Sequence, residues 1–332
     1  MKICIYGAGA VGGLMAAWLS RAGHEVSVVA RGKHLTAIRQ NGLAVVSQGK
    51  KETYKVKADS DPRTLGPQDY VIVAVKAQSL GGVAAAITPL LGADTSIVTA
   101  MNGVPWWFFD RLPFASERSA RGEGKLRLET LDPGGKLSRA MPTERLVGCV
   151  IHLAASTPEP GVIGHGMGTR LILGEPGGRN TARTERIVAA LKEAGFEAAA
   201  SGFIEKEFWV KLIGNVSFNP VAALTLATAD RLIADDYVKA YLIAVMRECL
   251  AIGRAVGVDA AIDPEARMDM ARKLGKFKPS TLQDLEAGKS LEIDGLLTGT
   301  LEVARKAGVA APFTESLAGL ARLRAESTGQ YK

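Results

Sequence analysis

The feature that most constrains this chain is a glycine pattern close to its first residue. Residues 7–12 read Gly-Ala-Gly-Ala-Val-Gly and directly follow a short apolar run, Lys2–Tyr6, which predicts a strand. Val11–Ala22 is predicted as a helix that stops at Gly23. G-x-G-x-x-G between a strand and a helix is typical of dinucleotide-binding folds, because the glycines allow a tight turn and close approach of a pyrophosphate. The predicted cofactor-binding residues of this loop are Gly7, Gly9, Ala10, Val11 and Gly12.

Strands and helices alternate after this loop, with a hairpin following Gly42. The further predicted strands are Glu25–Ala30, Tyr70–Val75, Thr95–Ala100, Gly148–Ala155 and Arg170–Gly174, and the further predicted helices are Lys33–Asn41, Ser79–Leu91 and Thr184–Ala194. Tyr70–Val75 is a continuous apolar run, as expected for a strand buried on both faces. Such alternation predicts an α/β fold with a Rossmann-type, doubly wound parallel sheet. We assign residues 1–201 to this dinucleotide-binding domain.

An irregular segment interrupts the alternation at about residues 105–142. It is rich in Gly, Pro and charged residues, and it contains the aromatic run Trp106-Trp107-Phe108-Phe109. We interpret it as an inserted hairpin or lid.

From Ile204 onward the pattern changes to helical periodicity alone. The predicted helices are Ile204–Thr225, Ala234–Val256, Pro264–Leu274, Ser280–Ala287 and Leu291–Ala307. The sequence therefore predicts a second, all-helical domain over residues 202–332, which would bind the substrate and carry the catalytic groups.

Composition excludes several classes of protein. The net charge of +7 is modest and dispersed, so it favours a small anionic ligand over nucleic acid. Three widely spaced cysteines form neither a disulfide framework nor a zinc site, and we predict no metal and a reducing, cytoplasmic location. No apolar stretch is long enough to cross a membrane. The oligomeric state is left open, with a homodimer as one option.

Polar residues at the ends of the predicted strands indicate which dinucleotide binds. The second strand ends at Arg31, where NAD-binding folds usually have an acid. A guanidinium can bind a 2′-phosphate through two hydrogen bonds, so we predict NADPH rather than NADH, although Arg31 could also be a solvated charge. Lys76 and Asn102 follow two later strands. Ligands of such sheets bind outside the carboxyl ends of the strands, so both residues are candidates for the same site.

A second candidate cluster lies in the helical domain. Lys211, Asn215 and Asn219 are spaced at i, i+4 and i+8, which aligns them in one polar stripe. The stripe could be an ordinary solvent-facing surface, but two asparagines favour hydrogen bonds to a ligand. Ser280 begins a predicted helix and could form a capping box with Gln283, while Glu292 falls in a predicted first turn, where the helix dipole favours an acid.

The order of these motifs resembles the ketopantoate reductase (2-dehydropantoate 2-reductase) family over nearly the whole chain. The matching segments are GAGAVGG, VSVVAR, VKAQSL, NGV, WVKLIGNVSFNPVAALT and STLQDLEAGKSLEIDGL. The resemblance implies reduction of the C2 ketone of ketopantoate by NADPH, giving pantoate for pantothenate and coenzyme A synthesis.

The resemblance also implies roles for the candidate residues. Lys211 would be the general acid, Asn215 and Asn219 would hold the substrate hydroxyl, and Ser280 would bind its carboxylate. Glu292 would orient substrate and lysine. Asn102 would bridge substrate and cofactor, with Lys76 near the same junction.

Other functions remain open at this point. The segment at residues 105–142 is longer and more aromatic than expected for the family, so another 2-oxo acid could be the substrate. A β-hydroxyacid or 6-phosphogluconate type dehydrogenase has a similar layout, but the segment from Ser280 to Glu292 argues against it. A redox sensor that binds NADPH without catalysis would lack the proton donor, whereas Lys211 is present.

Overall fold

The structure is a computed structural model that describes residues 1–273 and 275–331. The described residues form ten strands: Lys2–Tyr6 (β1), Glu25–Val29 (β2), Leu43–Ser47 (β3), Lys50–Tyr54 (β4), Lys57–Asp59 (β5), Gln68–Val73 (β6), Leu91–Ala100 (β7), Leu146–Glu159 (β8), Val162–Gly174 (β9) and Glu197–Ala200 (β10). The α-helices are Ala10–Arg21 (α1), Gly32–Asn41 (α2), Leu80–Ala86 (α3), Pro113–Arg118 (α4), Lys136–Ala140 (α5), Ala182–Glu193 (α6), Ile204–Thr225 (α7), Ala229–Ala234 (α8), Asp236–Ala255 (α9), Pro264–Lys273 (α10), Ser280–Glu286 (α11), Gly299–Ala307 (α12) and Pro312–Ser327 (α13).

The chain divides into two compact units. Unit 1 comprises residues 1–101 and 135–204, and unit 2 comprises residues 102–134 and 205–332. Residues 102–134, which the sequence analysis assigned to the first domain, therefore group with the helical residues.

Unit 1 is built on one sheet with the strand order β4-β3-β9-β8-β7-β6-β1-β2-β5, and β10 pairs with β9. β1 is parallel to both of its neighbours, β2 and β6, and the parallel pairing continues to β7 and β8. Only the β3–β4 and β8–β9 pairs of the described strands are antiparallel. The predicted doubly wound α/β fold is confirmed, and so is the hairpin after Gly42.

The strand order sets the position of the glycine loop. From β1 the chain proceeds through α1 to β2 on one side, while β6, on the other side of β1, comes later in the chain. The carboxyl end of β1 is therefore the point where the strand order reverses, which is where ligands bind in such sheets. The apolar residues of β1 and β6 are buried because neighbouring strands and helices cover them, as their continuous Val/Ile pattern predicts.

Unit 2 contains the aromatic run that the sequence analysis interpreted as part of a lid. Its side chains are at most 3% exposed. The ring of Trp107 contacts that of Phe208 edge-on at 5.5 Å between centroids, and Phe108 stacks on Trp209 at 5.2 Å. The run is thus packed against α7, and the described residues 105–142 contain helical turns and short helices but no strand. Of the two interpretations, hairpin or lid, the hairpin is wrong because the described residues of this segment form helical turns instead of strands, and its aromatic run is buried against a helix far along the chain.

Several predicted helices have different bounds in the structure. The predicted helix Ser79–Leu91 is interrupted: α3 ends at Ala86, and a 3₁₀ turn over Thr88–Leu90 follows, because Pro89 has no N–H group to continue the α-helical hydrogen bonds. The helix predicted from Ala234 begins instead at Asp236 as α9, and Ala234 is the last residue of α8. Asp235 caps α9 by accepting hydrogen bonds from the N–H groups of Tyr237 and Val238. The predicted end of α10, residue 274, lies outside the described residues. Outside residues 105–142, the strands β5 and β10 and the helices α8 and α13 were not predicted.

Among the described helices, none combines the length and the apolar character that a bilayer-spanning segment requires.

A buried carboxylate attaches the segment 102–134 to α12. Glu302 is 7% exposed, and its two oxygens accept hydrogen bonds from the backbone N–H groups of Glu129 and Thr130, both at 2.8 Å. Burial raises the pKa of Glu302, but these hydrogen bonds and the charge of Lys306 lower it more, so the pKa lies below its usual value.

We expect Glu302→Ala to lower the free energy of unfolding by about 1–3 kcal/mol at neutral pH, because two backbone donors lose their acceptors. The ionised carboxylate stabilises the fold above the unfolded pKa of ~4.3, and this contribution is lost as the pH falls through the lower folded pKa. Urea unfolding at a series of pH values would therefore show a wild-type advantage that shrinks in acid. Glu326→Ala, at an exposed site, is the control; equal losses for the two variants would contradict the prediction.

Candidate active site

The glycine loop between β1 and α1 has a closed side and an open side. A Cβ on Gly7, whose φ is +104°, would lie 2.6 Å from Val75 Cγ1, and a Cβ on Gly12 would lie 2.0 Å from the carbonyl oxygen of Gly7. No atom of the described residues, chain neighbours apart, lies within 4 Å of the corresponding position at Gly9. Glycine is therefore required where the loop packs on the sheet, and Gly9 leaves space for a ligand. This shape fits the pyrophosphate of a dinucleotide.

The start of α1 faces the same open side of the loop. Gly9 is the N-cap, Ala10 and Val11 are the first two helical residues, and the first turn contains no acidic side chain. Unpaired backbone N–H groups and the positive end of the helix dipole favour an anion at this place.

Arg31 is positioned by the first turn of the next helix. It is the N-cap of α2, with extended backbone, and its side chain is exposed. Burial raises the pKa of the Tyr6 hydroxyl, and the charge and hydrogen bond of Arg31 partly oppose this effect. The guanidinium thus lies beside the last residue of β1, and its Nη2 is 3.7 Å from the Cβ position of Gly82 in α3. An anion bound here would meet a fixed cation.

Three of the predicted cofactor positions follow adjacent parallel strands. Gly9, Arg31 and Lys76 come after the carboxyl ends of β1, β2 and β6, respectively. Lys76 is half-buried and precedes a 3₁₀ turn over Ala77–Ser79. The topology therefore brings all three to the same edge of the sheet of unit 1.

His34, which the sequence analysis did not select, joins three segments of unit 1. Its Nε2 lies 2.6 Å from the carbonyl oxygen of Ala8 in the glycine loop. Its Nδ1 accepts a hydrogen bond from the backbone N–H of Gly161 at 3.0 Å, in the turn between β8 and β9. The only sequence signal for this role is a histidine three residues after Arg31, which alone indicates nothing about Ala8 or Gly161.

In unit 2, Lys211 is directed by an asparagine from the start of that unit. Its Nζ donates to Oδ1 of Asn102 at 2.7 Å, although the two residues are 109 positions apart. Asn102 is two residues beyond the end of β7, and Lys211 lies on α7, whose bounds are those predicted from the sequence. An ammonium group held by an amide oxygen can deliver a proton in a defined direction.

The polar stripe on α7 is not a solvent face. Lys211 and Asn215 are half-buried, and Asn219 is only 5% exposed. Asn219 Nδ2 donates to the hydroxyl of Ser280 at 3.3 Å. The structure therefore connects two residues that the sequence analysis could relate only through a family resemblance.

The predicted capping box at Ser280 is absent from α11. The N-cap is Pro279, which has no capping side chain, and Ser280 is already helical. Gln283 donates instead to the carbonyl of Lys278. The hydroxyl of Ser280 thus has Asn219 as its partner, so Ser280 contacts the stripe rather than the end of its own helix.

Glu292 lies just before a π-helical turn that contacts the Asn102 loop. The turn spans Asp294–Thr298, so the predicted regular helix from Leu291 begins later and with different geometry. The carbonyl of Gly295 accepts from the N–H of Val104 at 2.8 Å. A Cβ on Gly103, whose φ is +83°, would lie 2.3 Å from that same oxygen. Close backbone packing therefore fixes the loop after Asn102 against the segment that carries Glu292, which is half-buried.

Metal ligation has no support in the part of the chain that the structure describes, since no group of three or more His, Cys, Asp or Glu side chains there could hold an ion.

Two family models match this chain. The model "Ketopantoate reductase PanE/ApbA" matches residues 3–105, and "Ketopantoate reductase PanE/ApbA C terminal" matches residues 204–325. Together they include the glycine loop and Arg31 in the first match, and Lys211 and Glu292 in the second.

Full-length relatives agree with these matches. The 2-dehydropantoate 2-reductase of Mesorhizobium japonicum is 40% identical over 332 residues, covering 100% of both chains. A ketopantoate reductase candidate from Ralstonia solanacearum MolK2 has a solved structure that is 45% identical, with a TM-score of 0.93 and 99% coverage of both chains. D-mandelate dehydrogenase, solved with NADH and anilino(oxo)acetate, is 19% identical with a TM-score of 0.81 and 99% coverage of both chains; this likeness shows a common fold and nothing further.

Proposed function

The chain belongs to the ketopantoate reductase family, and we propose that it reduces the C2 ketone of 2-dehydropantoate to the hydroxyl of pantoate, a step of pantothenate synthesis, with NADPH as reductant. The observation that carries this proposal is the 40% identity to a 2-dehydropantoate 2-reductase over the full length of both chains. Unit 1 offers a dinucleotide cradle and unit 2 a directed ammonium group, which are the two elements that the reaction needs.

Lys211 is the proposed general acid. NADPH, when bound, supplies a hydride to the C2 carbon of the substrate. The ketone oxygen gains negative charge as its carbon is reduced, and the Lys211 ammonium can neutralise that charge and transfer a proton to it. Asn102 directs the ammonium through its 2.7 Å hydrogen bond.

Family membership suggests roles for the neighbouring polar residues. Asn215 and Asn219 would hold the substrate hydroxyl, Ser280 would bind its carboxylate, and Glu292 would orient substrate and lysine. The hydrogen bond between Asn219 and Ser280 supports grouping these two residues in one subsite.

NADPH is proposed over NADH because of Arg31. Its exposed guanidinium follows β2, where a carboxylate would repel a 2′-phosphate, and it lies beside Tyr6 at the carboxyl end of β1. Gly7, Gly9, Ala10, Val11 and Gly12 would hold the pyrophosphate. Lys76 and Asn102 are proposed to contribute near the nicotinamide.

The buried aromatic run does not argue against the family substrate. Trp107 and Phe108 pack against Phe208 and Trp209 on α7, so the unusual composition of this segment contributes to the core of unit 2. It therefore gives no separate reason to prefer another 2-oxo acid.

An assay of NADPH oxidation tests the activity directly. We expect turnover with 2-dehydropantoate to exceed that with a panel of other 2-oxo acids, and NADPH to be preferred over NADH. A higher kcat/KM for a different 2-oxo acid would mean that this acid, and not 2-dehydropantoate, is the substrate. Dinucleotide binding with no turnover on any member of the panel would favour a redox sensor.

Replacing the proposed general acid gives a second test. Lys211→Ala should lower kcat by roughly 10²–10⁴-fold, as removal of a general acid typically does, while the Kd for NADPH stays unchanged. Lys206→Ala, a half-buried lysine on the same helix, is the matched control and should retain activity. Near-normal turnover of the Lys211 variant would remove this residue from the mechanism.

Arg31→Ala should weaken NADPH selectively. Loss of a charge-assisted hydrogen bond predicts a Kd for NADPH that rises by roughly 10- to 100-fold, with little change for NADH. Calorimetric titration of both dinucleotides measures this difference. Arg39→Ala, on the same helix but paired with Asp59 at 2.8 Å, serves as the control. Equal weakening of NADPH and NADH would contradict contact with the 2′-phosphate.

A further inference from the structure

We infer that His34 is a positioning residue for the dinucleotide, acting through the Ala8–Gly9 peptide of the glycine loop. This inference rests on the proposed function in that it assumes a dinucleotide in the cradle. His34 itself need not touch the ligand; its effect is to fix the direction of a backbone N–H group that does.

The hydrogen bonds of His34 define which nitrogen carries the proton. The backbone N–H of Gly161 can only donate, so Nδ1 of His34 must accept, and the ring proton lies on Nε2. Nε2–H then donates to the carbonyl oxygen of Ala8 at 2.6 Å. Both ring nitrogens thus form hydrogen bonds with backbone groups. The half-buried ring lies between Ala8 and Gly161, which are 153 positions apart in the sequence.

This bond orients the open side of the glycine loop. Within a planar trans peptide the C=O and N–H groups point in opposite directions. When His34 holds the Ala8 carbonyl on one side, the N–H of Gly9 must point to the other. Gly9 is also the residue whose Cβ position is open. The peptide is therefore set to present its N–H toward the space that we assign to the pyrophosphate.

The location of His34 in α2 extends this effect to the proposed 2′-phosphate site. α2 begins at Gly32, immediately after Arg31, and His34 is in its first turn. A Cβ on Gly161, whose φ is +78°, would lie 2.9 Å from the Cβ of Ala37 on the same helix. The hairpin turn therefore packs closely on α2 and supplies the donor that holds the ring. Through His34, the start of α2 and the glycine loop form one connected unit.

The two bonds can be separated by substitution, because amide side chains reach the two ring positions separately. A Gln amide nitrogen lies as many bonds from Cα as Nε2 of His, and an Asn oxygen as many as Nδ1. His34→Gln can therefore still donate a hydrogen bond to the carbonyl of Ala8. His34→Asn keeps only the hydrogen bond from the N–H of Gly161 and loses the one to Ala8. His34→Phe keeps the ring and loses both hydrogen bonds.

Calorimetric titration of these variants with NADPH and NADH tests the inference. Loss of one hydrogen bond to the loop predicts that His34→Asn and His34→Phe raise the Kd by roughly 3- to 10-fold. His34→Gln should stay near the wild-type value. Steady-state kinetics should show the same pattern in the KM for NADPH, with kcat little changed, which a general loss of folded protein would not produce.

His165 provides the matched control. It lies in the same unit and also uses both ring nitrogens, with Nδ1 2.9 Å from Ser47 Oγ and Nε2 2.8 Å from the carbonyl of Gly168. Its ring packs edge-on against Trp18 in the second half of α1, at 5.1 Å between centroids, and neither of its two hydrogen-bond partners belongs to the glycine loop. His165→Asn should leave the Kd for both dinucleotides unchanged.

The outcomes distinguish this inference from the proposed function. Equal Kd values for all three His34 variants and the wild type would overturn it, as would a Gln variant no better than Asn. If the wild type binds NADH and not NADPH, the proposed cofactor is wrong. The Kd values of the His34 variants for NADH would then test the role of His34 in the same way. A wild type that binds neither dinucleotide would overturn both.

Discussion

Close approach of the backbone at Gly7 and Gly12 is the constraint on which the rest of unit 1 depends. A side chain at Gly12 would meet the Gly7 carbonyl at 2.0 Å, so α1 can pack against β1 and Ala74 only if this residue has none. That packing directs the start of α1 toward the carboxyl edge of the sheet, where Arg31 and Lys76 also lie. One steric requirement thus determines where the dinucleotide can bind and which side chains surround it.

The sequence predicts the elements of this fold whose signals are local. β1 and α7 have the predicted bounds, because an apolar run and a helical repeat are both read from neighbouring residues. Errors arise where the local structure depends on contacts with residues that are distant in the sequence. Ser280 and Gln283 have the spacing of a capping box, but the hydroxyl of Ser280 accepts a hydrogen bond from Asn219, 61 positions away. The aromatic run is more apolar than a loop should be, and only the presence of α7 explains why.

The candidate site was predictable in its residue types but not in its connections. Lysine and asparagines along one helix face indicated a polar cluster, and family resemblance suggested their roles. That Asn102 would direct the Lys211 ammonium could not be read from the sequence, because the pairing depends on how the loop after β7 is held. The bond between Val104 and Gly295 supplies that support through backbone atoms, which leave no signature in residue type beyond the two glycines.

The π-helical turn at Asp294–Thr298 determines what the deletion of a residue would do in this region. Such a turn contains one residue more than regular α geometry would, so it offsets the helical phase of the residues before it by about 100° relative to those after it. Deleting one residue here would give a smoother helix and would leave α12 in register with its buried Glu302. The same deletion would rotate Glu292 away from its present direction. The irregularity therefore lets the buried Glu302 and the half-buried Glu292 keep separate directions along one continuous stretch of chain.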